Sequence, residues 1–253
     1  MATRIAVTGK GGTGKTAFAA LLIRAALPRL KPRKELLLAV DADPDTNLPA
    51  ALGVQVRRTV GDMRERMMKE RDSLPPDTSK ERALESWVFE TLHEGDGYDL
   101  LVMGRPEGPG CYCYANNMLA SIVQRLVGNY AVTVIDTAAG LEHISRQTIN
   151  EVDTLVVVTD NSRRGLGTAE RIRDLAREIG MKFDRMYVVA NKVTPETRPT
   201  VEANARELGL ELAGHVPYDP ALAEFDLRGR PLTELPADSP AVRAVGEIAE
   251  KLL

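Results

Sequence analysis

Gly9-Lys10-Gly11-Gly12-Thr13-Gly14-Lys15-Thr16 begins eight residues into the chain and fits the pattern G-x-x-x-x-G-K-[ST]. Each fixed residue type has a physical job. The glycines let backbone N–H groups converge on phosphate oxygens where a Cβ would block the approach. Lys15 reaches the β- and γ-phosphates, and Thr16 gives its hydroxyl to Mg²⁺. Average residue usage makes a chance match in a chain of 253 residues an event of about one in a hundred. The flanks sharpen the match. Arg4-Ile5-Ala6-Val7-Thr8 predicts a short buried strand, and Ala17 to Leu27 a helix. Strand, Gly-rich loop and helix is the setting that places a phosphate at a helix N-terminus, so Gly9 to Ala17 is the candidate cradle. The other reading is a Gly-rich turn without a ligand.

The rest of the chain extends this unit. Apolar runs recur at Glu35 to Val40, Asp99 to Met103, Val132 to Ile135, Thr154 to Thr159, Met186 to Ala190 and Glu211 to Val216. They are rich in Val, Leu and Ile and do not alternate, as parallel strands buried on both faces require. Thr168 to Ile179 and Val201 to Leu208 carry helical spacing between them. Gly180 and Gly209 follow helix ends, and Pro195 and Pro199 mark a helix start. The pattern predicts an α/β fold: a doubly wound, mostly parallel sheet of about seven strands with helices on both faces. It predicts one domain over residues 1–253. Residues 53–97 break the rhythm; charged and helix-prone, they read as a helical surface excursion. Pro240 to Leu253 reads as an amphipathic helix packed on the domain.

Lys10 follows the first glycine, where the pattern leaves the residue free. Two lysines this close repel unless a strongly anionic ligand lies between them; the plainer alternative is a solvated loop lysine. With this lysine the chain resembles the deviant Walker A ATPases, a group that includes MinD, ParA and the nitrogenase iron protein. The resemblance implies that Lys10 reaches across a homodimer to the partner's nucleotide.

Asp41-Ala42-Asp43-Pro44-Asp45 ends the second predicted strand, where α/β sheets bind ligands. Three carboxylates in five residues are hard to hold together without a cation, although an acidic turn is the alternative. By resemblance this is switch I, with Asp43 orienting the attacking water and Asp41 binding Mg²⁺ through water. Val132 to Ile135 ends in Asp136, the way a Walker B carboxylate is presented to Mg²⁺. Thr137-Ala138-Ala139-Gly140 then resembles switch II. Asn191 resembles the family's base-recognising Asn, and its residue type also suits a helix cap or turn. Val216-Pro217-Tyr218-Asp219 resembles the backbone part of an adenine pocket, which places Pro217 there. Adenine over guanine rests on this resemblance and on the lack of an Asp two places after Lys192.

The two cysteines are Cys111 and Cys113, in Glu107-Gly108-Pro109-Gly110-Cys111-Tyr112-Cys113-Tyr114. On an extended backbone residues i and i+2 face the same way, so their sulfurs could grip one soft metal ion. A disulfide across so tight a ring is strained. Two thiolates are half a tetrahedral site, and a second copy of the chain supplies the other half most simply. Two ordinary buried cysteines are the alternative. Together with the nucleotide motifs, Cys-Tyr-Cys, Asn116 and Ala139-Gly140-Leu141-Glu142-His143 make the chain resemble the CooC-type nickel-insertion ATPases that mature carbon monoxide dehydrogenase and its acetyl-CoA synthase partner. Those ATPases often carry Met-Gly after the Walker B acid, where this chain has Thr137-Ala138. His143 is open to a metal-handling or a structural role.

The resemblance implies an ATPase converting ATP and water to ADP and phosphate, with Mg²⁺, in a homodimer holding Ni²⁺ or Zn²⁺ at its interface and serving a nickel enzyme client. Lys10, Lys15 and Asp43 would carry the chemistry. The alternatives are a ParA- or MinD-like positioning ATPase and an ATP-dependent ligase of the dethiobiotin synthetase type. A net charge of −3 argues against a nucleic-acid surface. The C-terminal helix lacks the basic and aromatic faces of a membrane binder. No signal peptide and no apolar run near ~18 residues is present, which predicts a cytoplasmic protein.

Overall fold

The computed structural model describes residues 2–70, 80–105, 121–140 and 151–253. In chain order the first half holds β1 (Thr3–Gly9), α1 (Lys15–Leu30), β2 (Leu37–Ala42), α2 (Leu48–Leu52), α3 (Val60–Glu70), α4 (Lys80–Phe89), β3 (His93–Glu94) and β4 (Tyr98–Val102). A helix α5 over 121–127 precedes β5 (Val132–Thr137) and β6 (Glu151–Thr159). There follow α6 (Arg163–Glu178), β7 (Lys182–Val193), α7 (Arg198–Glu207), β8 (Leu212–Pro217), α8 (Pro220–Leu227) and α9 (Pro240–Leu252).

The strands form one sheet in the order β3-β4-β2-β5-β1-β6-β7-β8. Every pair is parallel except β3–β4. The doubly wound α/β expectation therefore holds, with eight strands in place of about seven. The extra strand, β3, is two residues hairpinned back on β4, with Gly95 N–H donating to the Tyr98 carbonyl. Two residues are too few to carry a periodic signal. Helix α1 is also longer than Ala17 to Leu27: it starts at Lys15 and runs through Pro28 to the buried Leu30.

The strand period of two divides the core between the faces. Ile5 and Val7 of β1 pack with Leu37 and Ala39 of β2 and Val134 of β5 against α1, α2 and α9. Ala6, Leu38, Val40 and Ile135 pack on the other face, against α3 to α7. Both faces of the central strands are covered, so their apolar residues run without interruption. Residues 53–97 contribute α3 and α4, which add Val60, Met63, Leu84 and Trp87 to that second face. The chain leaves β1, passes over β5 to reach β2, and returns, so β1 sits at the reversal of strand order. Ligands bind at the carboxyl ends of strands at such a point.

Candidate nucleotide and cation site

The segment after β1 is shaped by close approach. A Cβ on Gly9, whose φ is 148°, would lie 2.2 Å from the Val158 carbonyl oxygen of β6. A Cβ on Gly14, at φ 91°, would lie 2.4 Å from Nδ2 of Asn191. The loop folds on one oxygen: the Lys10 carbonyl accepts from Thr13 N–H at 3.4 Å, Thr13 Oγ1 at 2.8 Å and Lys15 Nζ at 3.3 Å. Lys15 is buried and Lys10 exposed. Helices α6, α8 and α9 each start under a side-chain cap, from Ser162, Asp219 and Ser239. Helix α1 has none: Gly14 precedes it, and its first turn holds no acid. Its leading N–H groups and positive dipole end are left for an anion.

Asp41 and Asp136 meet beside this loop. They are partners in register on the parallel strands β2 and β5, and Asp136 is also level with Val7 of β1. Both are fully buried. Asp41 Oδ1 accepts from Asp43 N–H and Oδ2 from Leu48 N–H, each at 3.0 Å. Even so, burial pushes its carboxyl up to about 6. Neither oxygen of Asp136 has a hydrogen-bond partner among the described residues. Burial pushes that carboxyl up to about 7; Thr16 and Lys15 lie near enough to lower it, against the charges of Asp41 and Asp43, which raise it. A buried carboxylate without a donor is costly unless a cation meets it. This donor set, two carboxylates with Thr16 beside them, is hard oxygen chemistry suited to Mg²⁺.

The neighbouring segments are tied to the same place. Asp43 Oδ1 accepts from Asp45 N–H, and Thr46 takes φ 50°, a strained setting for a β-branched residue. Thr137 Oγ1 donates to the Val7 carbonyl, Thr8 Oγ1 to the Gly140 carbonyl, and Gly140 N–H to the Gly9 carbonyl. The 137–140 segment is thereby fastened to the rim of the loop.

A cavity of about 740 Å³ opens here. Gly12, Lys15, Thr16 and Asp43 line it together with Ala138 and Ala139. Asn191 and Pro217 are not among its lining residues. Asn191 instead points its amide at the loop, Nδ2 donating to the Thr13 carbonyl at 2.8 Å and Oδ1 accepting from Lys192 N–H at 2.9 Å. Pro217 ends β8, where Asp219 accepts from Ala221 and Leu222 N–H at the start of α8 and from Ser239 Oγ and Ala241 N–H at the start of α9.

Sequence reasoning missed the remaining wall: Ala50 and Ala51 of α2, and Asp226, Gly229, Arg230 and Leu232. Gly229-Arg230-Pro231 after a helix is a C-cap signature, and that was the available signal. Pro231 wedges against α2, since a Cβ on Gly53 would meet its Cγ at 2.8 Å. Cys111, Cys113, Asn116 and His143 lie outside the described residues. Among the described residues no group of three or more His, Cys, Asp and Glu side chains is placed to hold a metal ion, and no helix is long and apolar enough to cross a membrane.

Residues 5–232 match the CobQ/CobB/MinD/ParA nucleotide binding domain. The chain is 53% identical, over 98% of both chains, to an uncharacterized ATP-binding protein of Methanocaldococcus jannaschii. It is 33% identical to the carbon monoxide dehydrogenase accessory protein CooC of Rhodospirillum rubrum, over 95% of this chain and 92% of that one. Its fold is similar to the septum site-determining protein MinD complexed with Mg-ADP from Pyrococcus horikoshii, with a TM-score of 0.70 at 21% identity, over 99% of this chain and 96% of that one.

Proposed function

The chain belongs to the CobQ/CobB/MinD/ParA nucleotide-binding family, and from there we propose that it is a cytoplasmic, homodimeric ATPase that delivers nickel to a carbon monoxide dehydrogenase or acetyl-CoA synthase client. The observation that carries the ATPase reading is Asp136, buried, unpartnered and set beside an uncapped helix N-terminus. That combination asks for a cation and an anion together, which is what a magnesium nucleotide brings.

In this reading Thr16, Asp41 and Asp136 hold Mg²⁺, whose contribution is to neutralise charge on the β- and γ-phosphates. Gly9 to Ala17 bind the phosphates through backbone N–H groups. Lys15 leaves the Lys10 carbonyl for the phosphate oxygens. Asp43 lies in the cavity wall with its backbone fixed by Asp41, and it orients the attacking water. Asn191 holds the loop through Thr13. Lys10, exposed at the rim, reaches the nucleotide of the second copy.

The nickel reading is supported by the likeness to CooC and by Cys111-Tyr112-Cys113. Four thiolates from two chains would hold one soft ion, and dimer opening after hydrolysis would release it. The test is metal stoichiometry on anaerobically purified protein with a non-hydrolysable ATP analogue, wild type beside Cys113→Ser. One ion per two chains, lost in the variant, is expected. Thiol-independent binding, or none, removes the metal reading and leaves a nucleotide-dependent ATPase.

A further inference from the structure

The geometry points to Arg230, stacked on Phe225, as the platform on which the purine base of the nucleotide lies. This rests on the nucleotide reading of the cavity and names the residue that holds its far end. The Arg230 guanidinium lies 3.9 Å from the centre of the Phe225 ring, and Phe225 is buried. The backbone beneath is fixed. Gly229 takes φ 63° after α8, its N–H donates to the Asp226 carbonyl, and Arg230 N–H donates to the Phe225 carbonyl at 2.8 Å. This is a Schellman turn, and it folds residue 230 back over residue 225. Pro231, pressed on Gly53, holds the turn from the other side. The result is a flat cation with one face on an aromatic ring and a side chain half exposed in the cavity wall.

The surroundings favour a base over a phosphate. Asp226 lines the same region, and its charge repels phosphate. Glu234 Oε2, 3.6 Å from Arg230 Nη2, offsets the guanidinium charge. Ala50 and Ala51 offer methyl groups, and Leu232 an apolar edge. The phosphates already have the loop, Lys15 and the start of α1. What this wall offers is a stacking surface, and guanidinium planes stack on bases without reading their sequence of donors.

The experiment is calorimetric titration of the full chain with ADP and, separately, with inorganic tripolyphosphate, both with Mg²⁺. Arg230→Ala should weaken ADP about 5- to 30-fold and leave tripolyphosphate within about twofold. Arg230→Lys keeps the charge and loses the plane, so it should behave like Arg230→Ala. Unchanged ADP affinity overturns the platform. So does an equal loss for tripolyphosphate, or full rescue by lysine, since either makes Arg230 a phosphate or charge contact. If the wild type binds neither probe, the nucleotide reading itself has failed, a result distinct from these.

Discussion

Asp41 and Asp136 stand side by side in register on adjacent parallel strands, both fully buried, and only Asp41 has its oxygens paired. The pair stores an electrostatic cost that a bound cation removes. Both carboxyls are raised from an ordinary 3.8, to about 6 and about 7. A raised acid is neutral in the fold at low pH, so its contribution is whole below the unfolded value and is lost as pH rises through the folded one. The metal-free protein should therefore lose stability from these groups between pH 4 and 7. Magnesium affinity should fall roughly tenfold from pH 7.5 to 6, because the ion needs the ionised pair. Thermal melts with and without Mg²⁺ and ADP at the two pH values check this, beside Asp136→Asn. An equal shift at both pH values, or an unaltered profile in Asp136→Asn, contradicts it.

Asp43→Asn should retain ADP affinity and lose at least about tenfold in kcat, because a neutral amide gives up the charge-assisted hydrogen bond that orients the attacking water. The backbone around it is held by Asp41, which the substitution leaves in place. Turnover at the wild-type rate would remove Asp43 from the chemistry.

Gly14→Ala should cripple the loop. The new Cβ meets Asn191 at 2.4 Å on a backbone at φ 91°. The conformation alone costs about 1–2 kcal/mol. Asn191→Ala makes room but leaves the Thr13 carbonyl without its donor, so the double variant should recover part of the stability and little of the nucleotide affinity. Urea melts and ADP titration of the three variants separate the two effects; a Gly14→Ala protein that matches wild type in both refutes the close approach.

Asp219→Ala removes the start of two helices at once, since one carboxylate serves α8 and α9. The loss should be about 2–4 kcal/mol. Backbone and Ser239 donors hold this carboxyl below its usual range against burial, so its contribution is present at neutral pH and fades as pH falls through the folded value. The wild-type and variant melting temperatures should converge in acid. A constant gap from pH 7 to pH 3 counts against the double cap.

The sheet was readable because buried parallel strands leave continuous Val, Ile and Leu runs, and β5 and β6 carry that signature. The loop was readable because Gly14 and Gly9 answer steric demands no other residue meets. What escaped was set by tertiary packing. β3 exists only through its pairing with β4. Asn191 reads as a residue that could face a base, a cap or a turn; its partner, Thr13, is 178 residues away. Arg230 carries no motif, and its place in the wall depends on a ring five residues before it and a proline seated on α2.

Helix α2 is only Leu48–Leu52, about 7 Å long at 1.5 Å per residue. One end hangs from Asp41 through Leu48 N–H, and the other abuts Pro231 through Gly53. It is a strut between the cation carboxylate and the far wall of the cavity. A one-residue insertion within it would turn its far end by about 100° and break one joint or the other. The distance between the two ends of the cavity is thus set by the length of a helix that lies outside every recognised motif.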